Sequence, residues 1–379
     1  MILVLNAGSS SLKFSLYTDQ GQQELISGNI ERIGQSQSFI SYSNKGKLCQ
    51  EKLSEKIFDH TQGLEILFLF LIYRGYNLAA ITKIGHRVVH GGDQFWQPVK
   101  INSKVIGRLK SFSQLAPLHN PVSIHTIELC KKFFSRVVQY ACFDTEWYRF
   151  MTPEHFLYAL PKKYYTKHHI RQYGFHGLSH EQAAQYAAHI LKKPLEKINI
   201  ITCHLGAGSS ITVVKNGHAI ETSMGFTPLS GLSMSSRVGD LDANIPLYMC
   251  RELKMSVAEV FTVLNSQSGW LALSGVTDFR QIMVDCGYNI KGFVPRKKVA
   301  DKHSSQLVLT RFVNEVSFYI AGFSSLLPQV DAIVFSGAIG ANANVRNLIR
   351  AQLSFLRATY FYCATDEQKA IAQKIKNLH

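Results

Sequence analysis

Seven cysteines stand in 379 residues, yet no C-x-x-C pair occurs among them. Cys49, Cys130, Cys142, Cys203, Cys250, Cys286 and Cys363 are odd in number and widely spaced. Neither a disulfide framework nor a zinc site is indicated, and a reducing cytoplasm fits best. Long apolar runs are also missing. The most apolar, Leu64 to Tyr73, falls short of the roughly 20 residues that span a bilayer, so it reads as a buried helix and no membrane partner is expected. The start lacks a basic region followed by a long apolar one, which argues against a signal peptide. Acidic residues are scarce, 26 against 41 Lys and Arg, giving a net charge of +15. The basic residues come in scattered pairs (Lys131-Lys132, Lys162-Lys163, Lys192-Lys193, Lys297-Lys298), with no dense block and no zinc-finger or RNP-like pattern. The charge therefore reads as solvated surface with a minority focused on an anion site, and not as a nucleic-acid footprint. Common nucleotide and metal motifs are absent too. Gly8 to Lys13 lacks the second glycine and the Lys-Ser/Thr pair of a Walker A loop, and no G-x-G-x-x-G follows a first strand. His180-Glu181 lacks the second histidine of a zinc protease, because position 184 is Ala.

What is present is a repeat. The stretch Met1 to Tyr17 holds two apolar, β-prone runs, 1–5 and 12–17, around Asn6-Ala-Gly8-Ser-Ser-Ser11. It reads as strand, tight turn, returning strand, with small residues whose amides and hydroxyls can face an anion. Ala7-Gly8-Ser9-Ser10 recurs as Ala207-Gly208-Ser209-Ser210, again between apolar runs at 198–203 and 211–214. Two such units suggest a duplicated domain with a phosphate-sized cleft between the copies. The length also favours two domains.

Between these hairpins the chain reads as mixed α/β. Residues 21–60 alternate short strand-like pieces with turns, and 62–80 form a core helix ended by Gly75 and Asn77. Ile81 to Gly92 is a strand running into a double glycine, with Arg87 and Val89 on one face and His86, Val88 and His90 on the other. An Arg beside a Val could hold a small carboxylate. For His86 and His90 a structural role outweighs metal ligation. His119 lies on a Pro-bounded loop that opens a helix near Pro121. Val137 to Phe143 is an apolar strand ending in Asp144, the place where open α/β sheets put catalytic groups. A helix opens at Ser179, and Asn216-Gly217 makes a type I′ turn. A mobile, small-residue loop, 223–236, delivers Arg237, Asp240 and Asp242. Helices fill 245–268 and 303–326, and Asp331 to Asn342 is a buried strand, a G-x-x-G turn and a helix start.

These residues resemble the acetate kinases. The matching strings are L-N-A-G-S-S-S-L-K-F (5–14), H-R-V-V-H-G-G (86–92), A-P-L-H-N-P (116–121), F-D-T (143–145) and Y-G-F-H-G-x-S-H (173–180). H-L-G-x-G (204–208), T-S-M-G-x-T-P-L-x-G-L (222–232) and R-x-G-D-x-D (237–242) continue the order over nearly the whole chain. The resemblance implies an α/β fold of two duplicated ribonuclease H-like (actin-like ATPase) domains around a central cleft. The expected boundaries are 1–147 and 148–365, with 366–379 a candidate to return to the first domain. It also implies a cytoplasmic homodimer that reversibly converts ATP and acetate to ADP and acetyl phosphate with magnesium or manganese. By the same resemblance Arg87 and Arg237 flank the transferring phosphoryl group, His176 donates to its oxygens, His119 supports the site and Asp144 places the nucleophile and metal. Asn6 and Glu367 would hold the metal, Glu367 on the weaker match of Thr365-Asp-Glu-Gln to the family's Thr-Asn-Glu-Glu. Val89, Leu118, Phe175 and Pro228 would contact the acetyl methyl. The nucleotide would fall to His204, Leu205, Gly206, Ala207, Gly208 and Ser209, to Asp278, Phe279 and Arg280, and to Gly337, Ala338, Ile339, Gly340, Ala341 and Asn342.

The departures cluster on the nucleotide side. Ala207 replaces the family's usual Asn, and G-G-I-G-E-N has become Gly337-Ala338-Ile339-Gly340-Ala341-Asn342, where the Ala338 methyl is expected to crowd a nucleotide. F-D-T is followed by Glu146-Trp-Tyr-Arg149 instead of Ala-Phe-His-Gln, and the second Glu of the C-terminal pair is Gln368. The alternatives to an acetate kinase are a propionate or other short-chain acyl kinase, or a catalytically weak homologue that binds nucleotide or acyl phosphate.

Overall fold

A computed structural model describes residues 1–44, 47–52, 56–295 and 301–378; the Lys297-Lys298 pair lies outside them. The chain forms two compact units, Met1–Glu146 with Asp366–His379, and Trp147–Thr365.

In the first unit, strands β1 (Ile2–Gly8), β2 (Ser11–Tyr17), β3 (Glu24–Glu31), β4 (Phe39–Asn44), β5 (Lys47–Lys52), β6 (Lys83–Val88), β7 (Val99–Lys100) and β8 (Val138–Phe143) form one sheet. Its order is β5-β4-β3-β2-β1-β6-β8-β7. The meander β1 to β5 is antiparallel, β1, β6 and β8 run parallel, and β7 closes the edge antiparallel to β8. Helices α1 (His60–Tyr73), α2 (Ser103–Ser111) and α3 (Asn120–Phe133) join these strands. Leu64, Leu67 and Leu71 of α1 share a core with Leu3, Leu5 and Phe14 of the sheet.

In the second unit, β9 (Asn199–Leu205), β10 (Ser209–Lys215), β11 (His218–Thr222), β12 (Ala332–Ser336) and β13 (Thr359–Tyr362) order as β11-β10-β9-β12-β13. Here too the first strand is central, the next two follow it as an antiparallel meander, and the last two are parallel to it. The segment β3-β2-β1-β6-β8 has the same order and polarity, so the short Ala-Gly-Ser-Ser repeat marks a duplicated sheet. The two hairpin turns differ: Gly8 pairs with Ser11 across a two-residue turn, whereas Leu205 pairs with Ser209 across three residues. The helices are α4 (Pro153–Phe156), α5 (Lys163–His168), α6 (Gly177–Leu191), α7 (Asn244–Arg251), α8 (Val257–Ser266), α9 (Gly269–Ser274), α10 (Phe279–Asp285), α11 (Lys302–Ser324), α12 (Gly337–Gly340) and α13 (Ala343–Gln352). The chain then returns to the first unit as α14 (Glu367–Ile375). Gly85 of β6 makes that return possible. A Cβ there would stand 2.5 Å from Ile371 and 2.9 Å from Ile375, so only glycine lets α14 lie this close to the sheet.

Several boundaries differ from the sequence expectation. The first helix stops at Tyr73, where Gly75 and Tyr76 donate back to Ile72 and Leu71, and 78–80 is a separate 3₁₀ turn. Residues 245–268 hold two helices, broken at left-handed Lys254 and restarted by a Ser256–Glu259 capping box. The helix expected at Ser179 begins at Gly177, because His176 occupies the left-handed N-cap. Asn216 and Gly217 both have positive φ, as a type I′ turn requires. No helix among the described residues is long and apolar enough to cross a membrane.

Candidate active site

Arg87 and Asp144 stand at the carboxyl ends of adjacent parallel strands, where β6 pairs Val88 with Phe143 of β8. The Arg87 guanidinium grips Asp144 with two bonds, Nε to Oδ1 and Nη2 to Oδ2, each 2.8 Å. Its Nη1 donates to Glu367 Oε2 at 2.5 Å. Glu367 opens α14, where the helix dipole favours an anion. Burial by itself lowers the Arg87 pKa, but the two carboxylates outweigh it and hold the group firmly cationic. A bidentate fork of this kind fixes direction as well as charge.

The neighbouring histidines have protein partners. His86 is buried against Gln139 at 2.7 Å, and burial pulls its pKa down to about 4. His90 Nδ1 accepts from the Gly92 amide. Asn120, which the sequence did not single out, bonds both the amide and the carbonyl of His90. It ties the start of α3 to the loop after β6 and sets half-buried His119 beside it as the N-cap. Val89 is half-buried and Leu118 exposed.

Asn6 pairs with Lys13 near the end of β1 and is half-buried. Magnesium takes oxygen ligands, characteristically one or two carboxylates together with substrate phosphates. The amide oxygen of Asn6 and the carboxylate of Glu367 suit that chemistry. No group of three His, Cys, Asp or Glu able to hold a metal occurs among the described residues.

In the second unit, α6 and the β9–β10 hairpin build a polar chain. His176 Nδ1 meets the Ser210 hydroxyl at 2.9 Å, Ser210 meets His180 Nε2 at 2.7 Å, and His180 Nδ1 meets the Thr202 hydroxyl at 2.8 Å. His180 is buried, and desolvation together with neighbouring His204 lowers its pKa well below the usual value, so it is neutral. His204 stacks on His176 at 4.4 Å and bonds Ser179. A Cβ on Gly208 would lie 3.2 Å from His176 Nε2 and 4.0 Å from Arg237 Nη1. His176, Arg237 and the Gly208 backbone therefore converge. Arg237 donates to the Pro228 carbonyl at 3.0 Å, and burial lowers its pKa. The 223–236 loop that carries it toward this point is held by Ser233 on Glu315 and by Gly231 on Asp240. Phe175 is buried, its carbonyl accepting from Tyr148.

A pocket of about 490 Å³ is lined by Ala207, Asp278, Phe279, Arg280, Ala338, Ile339 and Asn342, with Trp270, Thr277 and Met283. Asp278 and Arg280 form a bidentate pair there. The other residues of the expected nucleotide set shape the turns beside it. Gly206 and Ser209 bond each other at the tip of β9, and Leu205 is core. Gly337, at φ +78°, passes so close to Leu205 that a Cβ would sit 2.4 Å from its carbonyl oxygen. Gly340 is buried and Ala341 exposed.

The family model of the acetokinase family matches residues 1–374. The chain belongs to the acetokinase family. It is 40% identical over 361 residues to an acetate kinase of Clostridium novyi, covering 94% of this chain and 86% of that protein. It is 39% identical to acetate kinase 2 of Listeria monocytogenes, over 94% and 88% of the two chains. A propionate kinase from Francisella tularensis superposes with a TM-score of 0.89 at 35% identity, covering 98% of each chain. The acetate kinase of Porphyromonas gingivalis does so at 0.84 and 29%, over 98% and 97%. Acetokinase membership carries with it the actin-like ATPase fold that the duplicated sheets display.

Within this acetokinase, the backbone at the altered glycine turn is defined. Positive φ falls on Gly337, which is retained, while Ala338 sits in helical backbone. The alanine is therefore unstrained, and it lines the pocket. The network partners Ser179, His180 and Ser210 of the second unit, and Asn120 of the first, were not among the expected site residues. The 176/180 spacing, one helical turn apart, was the available signal.

Proposed function

We propose that this chain is an acetate kinase, transferring the γ-phosphoryl group of ATP reversibly to the carboxylate of acetate. The family match over nearly the whole chain carries this reading, and the Arg87–Asp144–Glu367 constellation supplies its chemistry. Charge spreads over the phosphoryl oxygens in the transition state, so fixed cations lower that barrier selectively. Arg87 and Arg237 take this role, and His176 donates to the same oxygens. Asp144 orients Arg87 and the acyl nucleophile, which needs no general base because acetate is already ionised, and His119 supports the loop. Asn6 and Glu367 would hold magnesium or manganese, which when bound neutralises phosphate charge. Val89 and Leu118 are the first unit's candidates for the acyl methyl, Phe175 and Pro228 the second's. The nucleotide occupies the pocket lined by Ala207 and Asp278 to Arg280, with His204 to Ser209 and Gly337 to Asn342 shaping its phosphate end. The reading takes domains 1–147 with 366–379, and 148–365, in a cytoplasmic homodimer; sedimentation equilibrium tests the dimer. Trapping acyl phosphate as hydroxamate from acetate, ATP and magnesium tests the function. Folded protein that yields none at millimolar substrate overturns it.

The likeness to a propionate kinase keeps propionate as the second reading. An apolar pocket separates acids one methylene apart by only about 1–3 kcal/mol, so kcat/KM across acid lengths decides between them. Ala207 lines the nucleotide pocket where the family's usual Asn could bond a phosphate. Ala207→Asn is expected to lower the KM for ATP several-fold, since a bond to a charged group is worth about 1.5–3 kcal/mol. An unchanged KM in initial-rate kinetics would mean that the departure is already compensated.

A further inference from the structure

Glu146 occupies the position after F-D-T where the family usually carries Ala, and its side chain is only 3% exposed. A buried carboxylate needs partners, and two of them tie the turn that holds Asp144 to α14. One oxygen, Oε2, accepts from the Phe143 amide at 3.0 Å, closing the turn in which Asp144 sits. The other, Oε1, meets Lys374 Nζ of α14 at 2.7 Å. Lys374 is seven residues after Glu367, two turns along the same face of that helix. Thus α14 is pinned at one end by Glu367 on Arg87 and further along by Lys374 on Glu146. A single carboxylate bridges the turn that places Asp144 and the helix that places Glu367.

We propose that Glu146 is a positioning residue whose ion pair with Lys374 fixes both carboxylates on Arg87, and thereby sets turnover and metal affinity. The proposal rests on the acetate kinase reading. Simple anchoring of α14 would be served by apolar contact, of which Ile371 and Ile375 already provide much. A buried ion pair adds registry, because sliding or rotating the helix would strand a charge. Gln368, at another departure from the family pattern, bonds Ser15 of β2 at 3.0 Å and fixes the same end of the helix.

The test uses Lys374→Met, Lys374→Arg and the near-isosteric Glu146→Gln, which keeps an acceptor for the Phe143 amide. Each is compared with the unaltered enzyme for kcat, acetate KM and binding of Mn²⁺ by electron paramagnetic resonance. Lys374→Met and Glu146→Gln are each expected to lose roughly tenfold in kcat and in Mn²⁺ affinity, as loss of an orienting partner does. Acetate KM should stay within about twofold, Lys374→Arg should restore both quantities, and the double variant should be no worse than either single one. Unchanged Mn²⁺ binding and kcat in the single variants overturns the proposal. So does failure of Lys374→Arg to rescue, or a double variant whose losses multiply. If the unaltered enzyme makes no acyl phosphate, the acetate kinase reading fails, while the Mn²⁺ arm still decides the role of Glu146.

Discussion

Arg87→Ala is expected to lower kcat by about 10³-fold or more, the scale on which an arginine facing a transferring phosphoryl group acts. The loss has two sources in this structure. Removing the guanidinium removes the cation proposed to stabilise the transition state. It also leaves Asp144, 3% exposed, and Glu367, 19% exposed, facing each other without their common counter-charge. Two close carboxylates cannot both stay ionised comfortably, so one takes up a proton. Breaking a buried pair from one side costs about 3–5 kcal/mol of stability. Arg87→Lys separates these effects. It returns the charge and most of the stability but not the fork, so kcat should remain low. Turnover by hydroxamate trapping, read beside urea denaturation midpoints, checks both. An Arg87→Ala enzyme within tenfold of normal kcat would remove Arg87 from the chemistry.

The parts of this site legible in the sequence are those that local pattern dictates. Apolar runs around Gly8 and Gly208 gave both hairpins, because period-2 burial and small turn residues leave little choice. Asp144 was legible as a polar residue ending an apolar strand. Glu367 was hard to place because it meets Arg87 across 280 positions, through a helix that rejoins the first unit after the whole second unit. No spacing rule encodes that return, although Gly85, bare of a side chain under α14, is its trace. Helix ends failed where non-glycine residues adopt left-handed backbone. His176 and Lys254 do so at φ 56° and 59°, and neither residue type announces it. The nucleotide-side departures were legible as substitutions but not in their consequence. Which of Gly337 and Ala338 carries the positive φ is a property of the turn, and that decides whether the backbone accepts an alanine.

A second large loss is expected at His176, and the polar chain behind it says which nitrogen matters. Thr202 donates its hydroxyl to the Thr212 carbonyl at 3.4 Å, so toward His180 it can only accept. His180, neutral in its buried setting, therefore carries its proton on Nδ1 and accepts at Nε2 from Ser210. Ser210 has then spent its only hydrogen, and must accept from His176 Nδ1. The nitrogen left facing the Gly208 turn and Arg237 is Nε2, which in the proposed role would donate to a phosphoryl oxygen from a doubly protonated ring. Such a donor is strengthened by the anion that it serves. Losing one preorganised donor costs about 10²–10³ in kcat, and that is the loss expected of His176→Ala. His176→Gln, whose amide nitrogen falls where Nε2 was, should recover part of it, while the shorter His176→Asn, which can replace only Nδ1, should not. Ser210→Ala leaves the ring in place but unaimed, and should lose roughly 10- to 100-fold, as supporting hydrogen bonds of this kind do. Equal activity in the Gln and Asn variants, or an unaffected Ser210→Ala enzyme, would break the chain of donors at the link concerned.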